Sequence, residues 1–449
     1  MVQQSTSDNI TSDLLRHIRL NKSFIIWMGI LGISLIVCLI AYVDQLKNGL
    51  GVAGIRDYIS WGMYISNFVF FVAVSLIGML MTAVLGLLKI KWAAPLTRIS
   101  EIVAFAFAAV AGLVIISDMG RPDRLLNVII YGRVQSPIFW DITVVSIYVV
   151  ISALLLYLPL IPDLKICYDK LENVPGLPRK IYKALSLNWT GSVEQQKIIK
   201  NSIRVLAILI IPVALGIHTV TSWLFANTSR AGWDSSVFGP YFVSGAFVAG
   251  CAAVIIGMYF YQKNYKLKDY ITDMHFDNMG KLLVLVSLVY LYFNLNEFMV
   301  PGYKMKKFDA IHLNELFTGA HALLFWGTQI LGLILPIILL LFKQLRKPLP
   351  IMVISIFVLV GAWFKRYIIV VPSQEHPYIP IQDVPTIFKH YTPTLDEILI
   401  TVGPMILTLI IITILSKVIP IIPIQEAIEE LEERKEEGVR REEGVRRER

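Results

Sequence analysis

Residues 24–42 read FIIWMGILGISLIVCLIAY, a run without a single charged side chain. An α-helix needs about 20 apolar residues to cross the hydrocarbon core of a bilayer, so this run predicts a membrane-spanning helix. The strands of a transmembrane barrel would be about half as long and would alternate polar with apolar residues. The segment therefore favours a helix over a strand.

Nine further segments have the same character, and the whole chain of 449 residues is 56% hydrophobic and only 16% charged. A soluble domain carries about 25% charged residues, so the composition excludes that class. The predicted fold class is an all-α integral membrane protein with ten transmembrane helices. After the first helix, they lie at approximately 59–88, 98–117, 138–160, 203–225, 238–261, 279–299, 318–342, 350–371 and 395–419.

The distribution of Lys and Arg predicts the orientation. Both tails and the loops after the even-numbered helices hold most of these residues, which the positive-inside rule places in the cytoplasm. We therefore expect a multi-pass protein of the cell membrane with both termini cytoplasmic: a polar segment 1–23, a membrane domain 24–420 and a charged tail 421–449. The net charge of +8 is explained by these basic loops, without nucleic-acid binding.

The cysteines do not indicate a redox centre. Cys38, Cys167 and Cys251 are far apart in sequence, whereas iron–sulfur clusters usually need four thiolates. We expect this chain to ligate neither an iron–sulfur cluster nor another metal. His218 and His321 lie within predicted helices, so one b-type haem between them stays open beside a hydrogen-bonded structural role.

Ionisable and polar groups inside a bilayer are costly, on the order of 3 kcal/mol for a charge, and each needs an explanation. Tyr64 and Asn67 share one face of helix 2, near Trp61. An interfacial aromatic belt is the simpler interpretation of this stretch. Asn67 lies deeper, however, and favours a polar pocket.

Two carboxylates are predicted at the same outer surface. Asp118 ends helix 3, followed by Arg121, and Asp141 begins helix 4. Surface ion pairs and a favourable helix dipole would account for them without function. Buried carboxylates can also exchange protons with a ligand, because burial raises their pKa towards neutrality.

Helix 7 is predicted to carry a polar stripe that ends at Glu297 near the outer end. We interpret Glu297 as a candidate membrane proton carrier, with His218 and His321 as further members of a proton pathway. A glutamate that reaches up to the interface is the alternative.

Several stretches together resemble the NrfD/polysulfide-reductase membrane-subunit family, in its ten-helix branch. The resemblance is strongest to the DsrP-type (HmeB) subunits of the Dsr (Hme) membrane complexes of sulfate reducers. It is carried by DMGRPDR (118–124), SPIFWD (136–141), HTVTSWLFANTSRAGWDSSVFGPYFVSGAFVAG (218–250), RYIIVVPS (366–373) and YTPTLDEILITVG (391–403). In some family members a histidine stands where this chain has Asp118, which leaves the identity of the proton acceptor open.

The resemblance implies two four-helix bundles, helices 2–5 (about 59–225) and helices 6–9 (about 238–371), flanked by helices 1 and 10. It also implies a quinone-reactive subunit of a respiratory oxidoreductase, with menaquinone or another quinone as bound substrate and sulfur or sulfate respiration as the setting. An extracytoplasmic iron–sulfur protein would dock on the outer loops, with cytochrome c and further membrane subunits as additional partners. On this chain the acid–base residues would be Asp118 and Asp141, and the quinone-binding residues Trp61, Tyr64, Asn67, Phe68, Arg121 and Trp140.

Two other functions remain open on the sequence. A proton-coupled secondary transporter would also use ten helices with buried acids and histidines. Transporters usually place their polar groups at broken helices near the midplane, whereas here they lie mostly near the outer ends. A membrane cytochrome with b-haem is the second alternative.

Overall fold

The computed structural model describes residues 21–170, 179–379 and 382–424, together with Thr11, Leu14, Leu15 and Ile18. Ten helices in these ranges are long and apolar enough to cross a membrane. We label them α1 to α10: Lys22–Asn48, Met63–Leu85, Lys91–Ser117, Pro137–Tyr157, Val193–Ala226, Phe238–Asn264, Asp273–Lys304, Ala322–Leu341, Pro348–Val370 and Leu395–Val418.

The predicted fold class is confirmed: an all-α, multi-pass membrane protein with ten spans. Most of the N-terminal segment 1–23 and the tail from residue 425 onward lie outside the described residues. The helix boundaries agree with the predicted ones to within a turn or two. The largest differences are at α5 and α7, which extend into the loops by two to three turns at their N-terminal ends or by about one turn at their C-terminal ends.

Helix packing divides the membrane domain into two rings. Helices α2 to α5 contact one another in sequence order, and α5 returns to α2; helices α6 to α9 form a second closed ring. Helices α1 and α10 pack as a pair, and α10 also lies against α3. The two rings meet mainly through α6, which packs against α2 and α5 of the first ring as well as against α7 and α9 of its own.

Small residues allow the closest helix approaches. A Cβ at Gly250 of α6 would lie 2.7 Å from the Cβ of Ile77 on α2, so only glycine fits this contact between the rings. Gly332 of α8 and Gly361 of α9 face each other in the same way. Close backbone approach at small residues is a common mode of helix association in membranes.

An ion pair anchors the end of the bundle where the even-numbered loops lie. Arg98, at the start of α3, is fully buried and donates to Asp163 Oδ2 at 3.2 Å. The same guanidinium donates to the carbonyls of Pro159 and Pro420, and its Nε lies 3.8 Å from Glu101. This one side chain therefore joins α3 to the segments that follow α4 and α10.

Candidate functional site

The loops after α1, α3, α5, α7 and α9 form one end of the molecule, here termed the odd-loop end. Asp141 lies there, one turn into α4, and it is buried. Thr221 of α5 donates a hydrogen bond to Asp141 Oδ1 at 2.6 Å. A carboxylate and a hydroxyl thus meet across the seam between α4 and α5.

The lipid-facing side of the same seam is a groove of about 400 Å³. Trp140 and Trp223 contact each other edge to face at its wall, with ring centroids 6.2 Å apart. Asp141 and Thr221 are the sequence neighbours of Trp140 and Val220, and they point to the buried side of the seam. The groove is lined by Phe139, Trp140, Thr143, Val144, Val220 and Trp223.

Asp118 belongs to a different polar cluster, at the ends of α1, α2 and α3. Tyr64 donates to Gln45 Oε1 at 2.5 Å, and Gln45 Nε2 donates to the carbonyl of Ser117 at 2.7 Å. Asp118 Oδ1 is buried and has no hydrogen-bond partner among the described residues. Burial raises the pKa of Asp118 to about 8, and the negative charge of Glu397 adds to this rise. A proton on Asp118 at neutral pH is therefore favoured.

Glu397 is buried at the start of α10, where the sequence suggested no more than a terminal charge. It accepts hydrogen bonds from the backbone N–H of Gly54 and of Met63, and from the hydroxyl of Tyr391. These bonds satisfy the carboxylate and connect α10 to the loop before α2.

Three predicted quinone-binding residues have packing roles. Asn67 donates to the carbonyl of Thr401 and accepts from Trp363 Nε1, so it joins α2 to α10 and α9. Trp61 stacks on Trp233 with centroids 5.6 Å apart, and Phe68 is buried in the core. These contacts bring α2 against its neighbours but leave the three side chains away from the α4–α5 groove lining.

Arg121 is not brought to either cluster. Its side chain is 65% exposed and makes a two-point contact with Asp123, with both donor–acceptor distances at 3.0 Å. An exposed pair of this kind contributes under about 1 kcal/mol.

The second ring encloses its own charged pair. Glu297 of α7 and Lys365 of α9 line a cavity of about 30 Å³, and Tyr241 and His312 also line it. Glu297 Oε2 and Lys365 Nζ are both buried without a hydrogen-bond partner among the described residues. The ammonium lies 4.4 Å from the ring centroid of Phe298, a cation–π contact. A cavity of this size holds one or two water molecules, which would satisfy both groups.

A hydrogen-bonded chain continues from this cavity towards the interior. Tyr241 donates to Asn294 Oδ1 at 3.1 Å, and Asn294 Nδ2 donates to Gln329 Oε1 at 2.8 Å. Lys365 also lines a second cavity of about 20 Å³, beside Tyr290 and Gln329. Two small polar cavities thus share one lysine.

Sequence reasoning placed Lys365 and Arg366 at the outer end of helix 9 and gave them no site role. The structure buries both, because α9 continues to Val370 and Lys365 is only 3% exposed. Two positive charges within five residues of a predicted helix end could have signalled a buried site instead of a terminus.

The two histidines of the predicted proton pathway differ in position. His218 lies inside α5, buried, one turn before Thr221, and its Nε2 atom lacks a hydrogen-bond partner among the described residues. The placement of His321 within helix 8 was wrong, because α8 begins at Ala322. His321 precedes the helix, in the odd-loop end, where its Nε2 lies 3.1 Å from Glu375 Oε2.

Residues 51–377 match the family described as Polysulphide reductase, NrfD. The chain belongs to this family. The family match spans both helical rings and all three polar clusters described above, up to the loop after α9.

Three curated relatives cover most of the chain. A putative membrane subunit of dimethyl sulfoxide reductase from Halobacterium salinarum is 26% identical over 84% of this chain and 87% of its own length. A selenate reductase subunit of Mesobacillus selenatarsenatis is 23% identical, over 90% and 96%. The Hdr-like menaquinol oxidoreductase integral membrane subunit of Archaeoglobus fulgidus is 21% identical, over 87% and 92%. Each name describes one component of an oxidoreductase.

Proposed function

We propose that this NrfD-family protein is the quinone-reactive membrane subunit of an oxidoreductase complex. The observation that carries the proposal is the groove between α4 and α5, which is open on the lipid-facing side and backed by a buried carboxylate, Asp141. A quinone reaches its site by lateral diffusion in the membrane, so an apolar, lipid-accessible groove is the entrance it needs. The name of the Archaeoglobus fulgidus relative supports menaquinol as the carrier.

The chemistry requires an acid–base group beside the ring. Quinol oxidation releases two electrons and two protons, and the protons must pass to a group within hydrogen-bond reach. Asp141 is that group in this proposal, with the Thr221 hydroxyl holding its Oδ1 atom in position. Trp140 and Trp223 enclose the ring. Asp118 serves as the second proton acceptor, next to the Tyr64–Gln45 pair.

The electrons pass to or from partner subunits. We propose an extracytoplasmic iron–sulfur protein docked at the odd-loop end, with cytochrome c and further membrane subunits completing the complex. The names of the relatives support partner subunits, because all three are named as subunits of a larger enzyme. Assignment to sulfur or sulfate respiration rests on the resemblance to DsrP-type subunits.

Filling the groove should block quinone binding. Val220 is half-buried in the groove wall, and a Val220→Trp substitution would occupy the space beside Trp223. We expect the dissociation constant for menaquinone to rise about tenfold, which corresponds to about 1.4 kcal/mol. Quenching of tryptophan fluorescence by the quinone, measured on the full chain in nanodiscs, gives the constant.

Val205→Trp is the matched control, because Val205 lies on the exposed side of the same helix. Its dissociation constant should equal that of the wild type. Equal affinity in both variants would show that the quinone does not use this groove.

We also propose that the second ring carries protons through Glu297 and Lys365. Two cavities that share Lys365, and two buried charged groups without direct partners among the described residues, support a hydrated path. His218 and His321 would extend it on either side. Such a path would link quinone chemistry to proton movement across the membrane.

A Glu297→Gln variant should keep its quinol oxidation rate within about twofold but lose most of its proton translocation. The amide fills the same space and cannot carry a proton, while the electron path stays intact. The proton-to-electron ratio of the complex in proteoliposomes, followed with a pH indicator, is the measurement. Glu194→Gln, at the start of α5, is the control. An unchanged ratio in Glu297→Gln would assign this glutamate to structure alone.

A further inference from the structure

Histidine is unevenly distributed in this chain. Four of its seven histidines, His312, His321, His376 and His390, fall within the loops and short helix on either side of α8 and α9. Three of these four have a ring nitrogen within 4.0 Å of a carboxylate oxygen of Glu315 or Glu375. Imidazoles and carboxylates are thus gathered at one place in the odd-loop end.

The core of this cluster has the arrangement of a metal site. Glu315, His321 and Glu375 each offer one ligand atom, and the three atoms lie within 4.8 Å of one another. Ligand atoms around a tetrahedral zinc ion lie roughly 3.4 Å apart, given bond lengths near 2.0–2.2 Å. Side-chain shifts of about 1 Å would therefore bring all three atoms to one ion.

The backbone orients both carboxylates towards the same point. Glu315 Oε1 accepts from the N–H of Ala320 at 2.9 Å, and Glu375 Oε1 accepts from the N–H of Tyr391 at 3.1 Å. In each glutamate the Oε2 atom is left to face the histidines. Hydrogen bonds that fix the far oxygen of a ligating carboxylate are a regular feature of metal sites.

A fourth ligand is close. His376 Nε2 is a buried atom 4.0 Å from Glu315 Oε2, and it has no hydrogen-bond partner among the described residues. His390 Nδ1 lies 3.9 Å from Glu375 Oε2 on a side chain that is 70% exposed. The buried, unpartnered nitrogen of His376 is the better placed of the two.

We propose that Glu315, His321 and Glu375 bind a divalent transition-metal ion of the zinc type, with His376 as the fourth ligand. The mixture of imidazole and carboxylate favours zinc and its first-row neighbours over calcium or magnesium, which prefer oxygen ligands alone. The site goes beyond the quinone function and does not depend on it. It also replaces the expectation from the sequence that this chain holds no metal.

The ion would act as a clamp between two loops. Glu315 and His321 belong to the connection between α7 and α8, whereas Glu375 and His376 belong to the connection between α9 and α10. An ion bound to both connections would fix the surface of the second ring at the end where we place the iron–sulfur partner.

The test uses the full chain, purified in detergent with a tag that contains no histidine. After removal of bound metal with dipicolinate, the protein is titrated with Co²⁺, whose visible absorption reports coordination, and then with Zn²⁺ in competition. We expect one equivalent of Co²⁺, displaced by Zn²⁺ and not by Mg²⁺ or Ca²⁺. Zn²⁺ should also raise the Tm, because a ligand that binds only the folded state stabilises it.

Single substitutions identify the ligands. Glu315→Gln, His321→Gln and Glu375→Gln should each weaken Co²⁺ binding by about 100-fold or more, while Asp123→Asn, an exposed acid of the odd-loop end, should leave it unchanged. The Tm without metal shows that each variant is folded. Less than a third of an equivalent bound to the wild type, or full binding retained in the three variants, would overturn the proposal. Menaquinone binding at the α4–α5 groove is measured separately, so failure of one proposal does not decide the other.

Discussion

An Asp141→Asn variant of the assembled complex is expected to lose quinol oxidation by about 100-fold or more, because general acid–base groups contribute factors of this size. Asparagine has the same shape and can still accept the hydrogen bond that Thr221 donates to Oδ1. The fold around α4 and α5 should therefore stay intact while the proton acceptor is lost. Steady-state oxidation of a soluble menaquinol analogue by the purified complex measures the effect.

Two companion variants locate the acid. Asp123→Asn removes an exposed carboxylate that pairs with Arg121 on the surface, and it should turn over at the wild-type rate. Asp118→Asn should reduce the rate by a smaller factor, as the second proton acceptor. Normal turnover in Asp141→Asn together with an inactive Asp118→Asn would move the site from the α4–α5 seam to the Tyr64–Gln45 cluster.

The largest expected effect on stability comes from Arg98→Leu. The substitution would leave Asp163 buried and without its cationic partner, which costs about 3–5 kcal/mol when a buried ion pair is broken on one side. The contacts of Arg98 with the carbonyls of Pro159 and Pro420 would be lost as well. We expect a much lower yield of monodisperse protein and a lower Tm in detergent, both followed by fluorescence-detected gel filtration.

Two controls separate burial from charge. Lys165→Ala removes an ion pair with Asp169 at 2.6 Å that is partly exposed, and it should leave the Tm nearly unchanged. The double variant Arg98→Leu, Asp163→Leu should recover much of the lost stability, since removal of both charges leaves no unpaired ion. A wild-type Tm in Arg98→Leu alone would contradict this account of the even-loop end.

The sequence predicted the helices well because each span is a local property of about 20 consecutive residues. Glu297 and Asp141 were correctly singled out as acids inside spans, and both are buried. Their roles stay predictions. What the sequence could not predict are pairs that join distant segments, such as Asn67 with Trp363 or Glu397 with Gly54, because nothing local indicates which helices become neighbours.

The cluster around His321 was missed for a different reason. An apolar stretch from 318 suggested a helix that contained the histidine, but Glu315 accepts a hydrogen bond from the N–H of Ala320 and the chain turns there before α8 begins. Hydropathy averages over a window and does not detect such a turn. Glu315 and Glu375 are also 60 positions apart, so their approach depends on the packing of α8 against α9.

Helix α6 is a wall common to both rings, and its contact with α2 at Gly250 leaves no space for even a methyl group. A helix held this tightly cannot tilt or slide with one ring alone, because the side chains of the other ring would have to repack at the same time. Displacement that begins where a carrier molecule enters the first ring would consequently be transmitted to the second as mechanical strain. Electron chemistry and ion movement can then be linked without any shared residue, and the rigidity of a single glycine contact sets how closely.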